Sequence, residues 1–296
     1  MSTHYVWVND SLIPADDAQV NISDLAVQRG YGIFDFFMTI DSQPVFLEDH
    51  LDRFFCSAVL MRLDIKMSRD EVRSRVNQLI KKNNLSDSGI KIILTGGFSP
   101  DGFNIAAPNL IITQQSFQIP RTMHENGLSI ITHEYQRQFA NAKTLDYLQA
   151  IWLQPVLKEK KADDVLYHSN GLILECPRAN FFIVTKDDQV LTPESGMLKG
   201  VSRKQVLEIS AEFYHTEARD VTLDELRNAK EAFITSTTKN ILPVVKVDGK
   251  VLGDGRPGAI TRALAEKYSG MIYGFSENQV QTKRDSLIEF RLSLFD

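Results

Sequence analysis

The chain has 296 residues, and 33 Lys+Arg against 38 Asp+Glu leave a formal net charge of −5. Its 43% apolar content can fill two cores of ordinary size, which excludes collagen-like, disordered and disulfide-scaffold classes. No apolar run approaches the ~18 residues of a membrane span, Cys56 and Cys176 lie far apart in no metal-ligand spacing, no basic stripe suggests nucleic acid, and no signal-peptide pattern opens the chain, so a cytoplasmic protein is expected.

In chain order, Tyr5–Asn9 reads as a strand, Asn9-Asp10 as a turn and Ile33–Ile40 as a second strand, closed by Asp41-Ser42-Gln43-Pro44. Leu47, Leu51, Phe54, Phe55, Ala58 and Val59 keep a 3.6-residue period, predicting a helix over Leu47–Leu63. Ser68-Arg69-Asp70-Glu71 is an S-x-x-E capping box opening a second helix that ends by Asn83-Asn84. Strands at Ile90–Leu94 and Leu110–Thr113 flank the glycine-rich loop Thr95–Gly102 and complete a small α+β domain, residues 1–117. The polar, proline-containing stretch 118–124 predicts a linker to a larger domain, 125–296.

That domain opens with a strand at Leu128–Thr132 and a helix from Leu145 to Lys161 that Pro155 must kink or divide. Strands follow at Val165–His168, Leu172–Glu175, Asn180–Thr185 and Val190–Thr192, with Ser169-Asn170-Gly171 as a hairpin turn. A helix over 202–213, a strand at Ala232–Thr235, a hairpin over Val247–Lys250 and a helix from Gly258 complete it; the tail from Ser269 carries no clear pattern.

No G-x-x-x-x-G-K-[ST], G-x-G-x-x-G, G-x-S-x-G or H-E-x-x-H is present, so nucleotide hydrolysis, Rossmann redox, α/β-hydrolase and zincin chemistry lack their signatures. Four isolated features remain. Taken singly, Lys143 before a helix is a surface charge, Glu175 is a turn carboxylate, Gly200-Val201-Ser202 is an ordinary helix start, and Thr235-Ser236-Thr237-Thr238 is a strand-end turn. Together they supply what a pyridoxal 5′-phosphate enzyme needs: an amine, a carboxylate for the pyridine nitrogen, and amides and hydroxyls for a phosphate.

On His50-Leu51-Asp52-Arg53, Lys143-Thr144-Leu145-Asp146-Tyr147, Leu174-Glu175 with Asn180-Phe181-Phe182, Lys199–Arg203 and Thr235–Thr238, the chain from about Tyr5 to Lys267 resembles the fold-type IV, or class IV, aminotransferases. The resemblance implies a two-domain α+β and α/β fold, a homodimer with each site at the interface, and pyridoxal phosphate held on Lys143 as a Schiff base. It gives Glu175 to the pyridinium nitrogen, Tyr147 to the ring oxygen, and Arg53, Val201, Ser202, Ser236 and Thr237 to the phosphate.

D-amino-acid transaminases of this family carry Thr-Arg-Gly where the chain has Thr95-Gly96-Gly97, and the resemblance places Met38 and Thr39 where they have tyrosine and glutamate. Arg178 and Arg29 are expected to bind the substrate carboxylate instead, with Tyr31 also in the substrate site, as in a non-standard subgroup of those enzymes. The implied reaction is a ping-pong exchange between an amino acid, most simply D-alanine or D-glutamate, and a 2-oxo acid such as 2-oxoglutarate. A branched-chain L-amino-acid aminotransferase and an aminodeoxychorismate lyase are the alternatives.

Overall fold

A computed structural model describes residues 4–118, 123 and 126–274. Of the expected linker, residues 119–122 and 124 lie outside the described residues, as does the tail from residue 275.

The first sheet is entirely antiparallel, in the order β2 (Ser11–Pro14), β1 (Tyr5–Val8), β6 (Leu110–Ser116), β5 (Ser88–Thr95), β3 (Gly32–Ile40) and β4 (Gln43–Pro44). The short helix α1 (Leu25–Arg29) precedes β3, and α2 (Leu47–Leu60) and α3 (Arg69–Asn83) cover one face. Alternate residues of β3 and β5, including Ile33, Phe37, Ile90 and Ile92, meet Leu51, Phe54, Val72 and Val76 there in a fully buried core. The capping box forms as the sequence predicts, with Ser68 and Glu71 closing each other's free amides. Helix α2 stops before Leu63: Arg62 takes a left-handed φ of 54°, and the Leu63 N–H turns back to Ala58 O at 2.9 Å. Leu63 is thus buried and in period without being helical.

The second sheet has ten strands: β7 (Leu128–Glu134), β8 (Asp164–Ser169), β9 (Leu172–Ile173), β10 (Glu175–Cys176), β11 (Ala179–Val184), β12 (Val190–Thr192), β13 (Thr216–Ala218), β14 (Glu231–Ser236), β15 (Asn240–Val247) and β16 (Lys250–Val251). They run β13-β12-β11-β14-β15-β7-β8-β9, with β10 joined to β11 and β16 to β15. Every residue of β11 is buried, and successive ones go to opposite cores: Phe181 and Ile183 to one, Phe182 and Val184 to the other. On the second side Phe182 stacks on Phe233 at 4.8 Å beneath α6 (Val201–Ala211) and the helix over residues 259–274, α8. The helix expected over Leu145–Lys161 is divided into α4 (Leu148–Trp152) and α5 (Gln154–Lys160), because Pro155 fits only in a first helical turn. A short capped helix, α7 (Leu223–Arg227), completes the element set.

The two sheets make the mixed, two-domain architecture that the sequence predicts. Among the described residues no helix is long and apolar enough to cross a membrane.

Candidate active site

A cavity of roughly 200 Å³ opens between the sheets. Its lining includes Arg53, Lys143, Tyr147, Glu175, Arg178, Val201, Ser202, Ser236 and Thr237, nine residues separated in sequence and expected together. Arg53, Arg137, Lys143 and Arg178 are its cations and Glu175 its one carboxylate, so the pocket is locally positive in an acidic chain.

Lys143 lies where the second domain's chain crosses to the first sheet. The Phe34 N–H donates to Lys143 O at 2.9 Å, Leu145 N–H to Gly32 O at 2.9 Å, and Lys143 N–H to Ser57 Oγ at 3.1 Å. This close seating needs Gly32, where a Cβ would lie 2.7 Å from Leu145 Cδ1 and 2.8 Å from Leu94 O. Burial, reinforced by the Arg53 charge, lowers the Lys143 amine from its ordinary value to about 7, and its Nζ sits 4.6 Å from the Phe34 ring centre. A lysine so poised is half neutral near physiological pH, as a nucleophile and proton carrier needs.

Glu175 reaches the cavity because its strand changes partners. The single strand expected over Leu172–Glu175 is two: β9 pairs with β8, and beyond Leu174 the chain pairs with β11. Glu175 Oε1 accepts from Arg137 Nε at 2.8 Å and Oε2 from Leu198 N–H at 3.2 Å. Burial pushes its pKa up, against the pull of Arg137. Arg137 also donates to the carbonyls of Ala140 and Ala142, gathering the loop that ends at Lys143.

Arg53 is aimed by Asp35, a fully buried carboxylate on β3. Asp35 accepts from Arg53 Nε at 2.8 Å and Nη2 at 2.7 Å, and His50 Nδ1 lies 2.7 Å from its Oδ1. Burial alone would raise the Asp35 pKa, but the charges and hydrogen bonds of Arg53 and His50 outweigh it and hold it well below the usual carboxylate range.

Opposite lies an anion cup. Helix α6 has no side-chain cap, and its first residues, Val201 and Ser202, face the cavity beside Thr235–Thr238. Gly200 lets the helix approach Asn180, whose Oδ1 would stand 2.1 Å from a Cβ there. Tyr268 of α8 donates to Ser202 Oγ at 2.9 Å, leaving the serine's own proton to point elsewhere. The buried Thr235 Oγ1 has no hydrogen-bond partner among the described residues.

Three expectations need correction. Arg29 and Tyr31 do not line the cavity: Arg29 is exposed and bonds only the neighbouring Gln28 carbonyl, and the Tyr31 hydroxyl donates to Met61 O at 2.6 Å. Arg178 lines the cavity but is exposed, because Pro177-Arg178 form the two-residue turn between β10 and β11, so no burial cost drives its need for an anion. Met38 and Thr39 are buried away from the cavity, and Phe34 and Phe36 form its wall on β3.

The family model for amino-transferase class IV matches residues 32–247, nearly three quarters of the sequence. This chain belongs to the class IV aminotransferases. D-alanine aminotransferase of Bacillus licheniformis is 28% identical over 263 residues, covering 87% of this chain and 93% of that protein. The crystal structure of the Escherichia coli branched-chain amino acid aminotransferase matches with a TM-score of 0.84 at 24% identity, over 92% of this chain and 95% of that one. A hypothetical aminotransferase from Mycobacterium tuberculosis, in PLP-bound form, matches with a TM-score of 0.78 at 23% identity, over 90% and 98%.

Two residues at the heart of this class IV aminotransferase's cavity escaped the sequence reading. Asp35 carried a signal, an acidic residue inside the apolar run Ile33–Ile40, which burial permits only with a cationic partner. Arg137 carried none, being one arginine in the polar stretch between β7 and Lys143.

Proposed function

We propose that the chain is a pyridoxal 5′-phosphate-dependent transaminase that exchanges an amino group between a D-amino acid and a 2-oxo acid by a ping-pong mechanism. The observation carrying this reading is the lysine amine at about 7 held in one cavity with a buried acid on one side and an anion cup on the other. The cup fits a phosphate: a helix N-terminus, several hydroxyls, an orphaned Thr235 Oγ1 and a guanidinium converge on it. In this reading Arg53, Val201, Ser202, Ser236 and Thr237 hold the phosphate, Glu175 faces the pyridine nitrogen and Tyr147 the ring oxygen. When bound, the cofactor supplies an electron sink that acidifies the Cα–H of an amino acid. Lys143 Nζ takes that proton and returns it one carbon away, while Arg137 keeps Glu175 oriented.

For the substrate carboxylate we assign Arg178, which has no ion pair among the described residues and stands at the cavity rim. Arg29 and Tyr31 join it only across an interface, in a homodimer whose partner presents its own α1 to this cavity. D-alanine aminotransferase activity in a relative over most of the chain supports the D reading. Arg178→Ala should raise the Michaelis constant for D-alanine about 10- to 100-fold, the worth of a hydrogen bond to a charged group, with the bound-cofactor absorbance unchanged. An unaltered constant sinks the assignment. The unpaired Cys56 and Cys176 agree with a cytoplasmic location.

The aromatic wall of Phe34, Phe36 and Tyr147 favours one second reading, a branched-chain L-amino-acid aminotransferase with an aliphatic side chain against it. Turnover with D-alanine, D-glutamate and L-leucine, compared side by side, separates the two: L-leucine as the best donor overturns the D reading.

The amine's state predicts a pH profile. Below pH 7 Lys143 is mostly protonated and cannot attack a carbonyl; above it the neutral fraction saturates. The rate of covalent pyridoxal phosphate uptake by the apo-protein should therefore climb about tenfold per pH unit up to roughly 7 and then level. A climb continuing toward about 10.4, the value of an unperturbed lysine, contradicts the assignment.

A further inference from the structure

Lys91 lies on β5 directly across from Phe36, on the sheet face opposite the α2–α3 core. Phe34 and Phe36, on the same face, wall the cavity. The Lys91 ammonium sits 4.8 Å from the Phe34 ring centre, and Lys143 Nζ sits 4.6 Å from the same point. The two nitrogens are therefore separated by no more than these lengths laid end to end, about 9.4 Å.

Lys91 is half-buried and has no carboxylate partner among the described residues; its pKa is lowered by burial alone. Its only close electrostatic neighbour is an aromatic face, a weak substitute for an anion. A structural lysine on a half-covered sheet is ordinarily turned to solvent or paired. This one rests against the ring that also carries the reactive amine, on a flexible four-carbon stem that can pass the ring's edge.

We propose that Lys91 is a specificity residue that receives the distal carboxylate of a dicarboxylic substrate, making five-carbon diacids such as 2-oxoglutarate and glutamate preferred partners of this cavity. This rests on the transaminase reading. The length agrees: from a Cα at Lys143 Nζ to a carboxylate at Lys91 there are two contacts of about 3 Å and three carbon–carbon bonds of about 1.5 Å, which a separation of at most about 9.4 Å accommodates once the chain is bent. Arg178 at the rim is left to the α-carboxylate, so a diacid would be held at both ends by separate cations.

The test compares 2-oxoglutarate with pyruvate as amino acceptors for the holoenzyme. Lys91→Met should lower the ratio of kcat/KM for 2-oxoglutarate to that for pyruvate about tenfold or more, and Lys91→Arg should keep it within about threefold, since a charged hydrogen bond is at stake. A ratio that does not move in Lys91→Met, or an equal loss with both acids, overturns the proposal. A readout independent of any variant is inhibition of the unaltered enzyme: glutarate should compete at lower concentration than valerate, and equal potency also overturns it. Amino transfer to neither acid by the unaltered holoenzyme would instead remove the transaminase reading, and this inference with it.

Discussion

Lys143→Ala should lower turnover by about 10²- to 10⁴-fold through loss of proton transfer alone, while the protein still takes up pyridoxal phosphate without a covalent bond. The separation is expected because the phosphate cup is built from α6, β14 and α2, none of which depends on the lysine side chain. Borohydride reduction followed by peptide mass spectrometry should attach the pyridoxyl group to Lys143 in the unaltered protein and to no residue in the variant. Substantial activity in Lys143→Ala, or a label elsewhere, would show that the cavity's amine is not the working one.

Asp35→Asn has the second large effect, and it combines stability with function. The substitution nearly preserves shape but leaves Arg53 and His50 without their shared counter-charge in a fully buried position. Breaking a buried pair in this way costs about 3–5 kcal/mol, read as a fall in melting temperature on the order of 10 °C. The freed Arg53 would also lose its aim, so pyridoxal phosphate affinity should drop with it. The pH dependence has a definite sign. A carboxyl whose folded pKa is depressed contributes stability above its ordinary value near 4, and that contribution is lost as the pH falls further. The unaltered protein should therefore lose melting temperature below about pH 4 more steeply than Asp35→Asn. Parallel curves for the two proteins would rule out Asp35 as the anchor of Arg53.

Local rules made much of the fold legible. The capping box at Ser68, the turn at Asn170-Gly171 and the division at Pro155 each depend on a few neighbouring residues, and each stands where the sequence predicts it. Strand β15 was not legible, because Pro243 lies inside it and a proline argues against a central strand. The sheet accommodates it on the β7 side, where pairing begins only at Val244 and shifts register before Lys246, so no ladder bond is asked of the missing N–H there. Strand β13 and helix α7 are too short for periodicity to register, although Thr222 and Glu225 form a second capping box.

The site divided along a similar line. Residues with recognisable local context, such as Lys143, Glu175 and Ser202, meet in one cavity. Asp35 and Arg137 act by aiming other side chains, and that geometry exists only after the sheets have come together. Arg29 shows the opposite limit, since its expected role depends on a neighbouring subunit and one chain alone leaves it at the surface.

Helix α8 is fastened at its start by Glu231, whose carboxylate accepts the Ile260 and Thr261 amides and the Thr261 hydroxyl, and farther along it presents Tyr268 to Ser202. During synthesis, a chain that has emerged only through Val251 already holds every described strand, yet the serine in the anion cup has no tyrosine behind it. The cup's hydrogen-bond network is thus finished by nearly the last described segment to leave the ribosome, which makes firm capture of the phosphate a closing event in the protein's biogenesis and not an early scaffold for it.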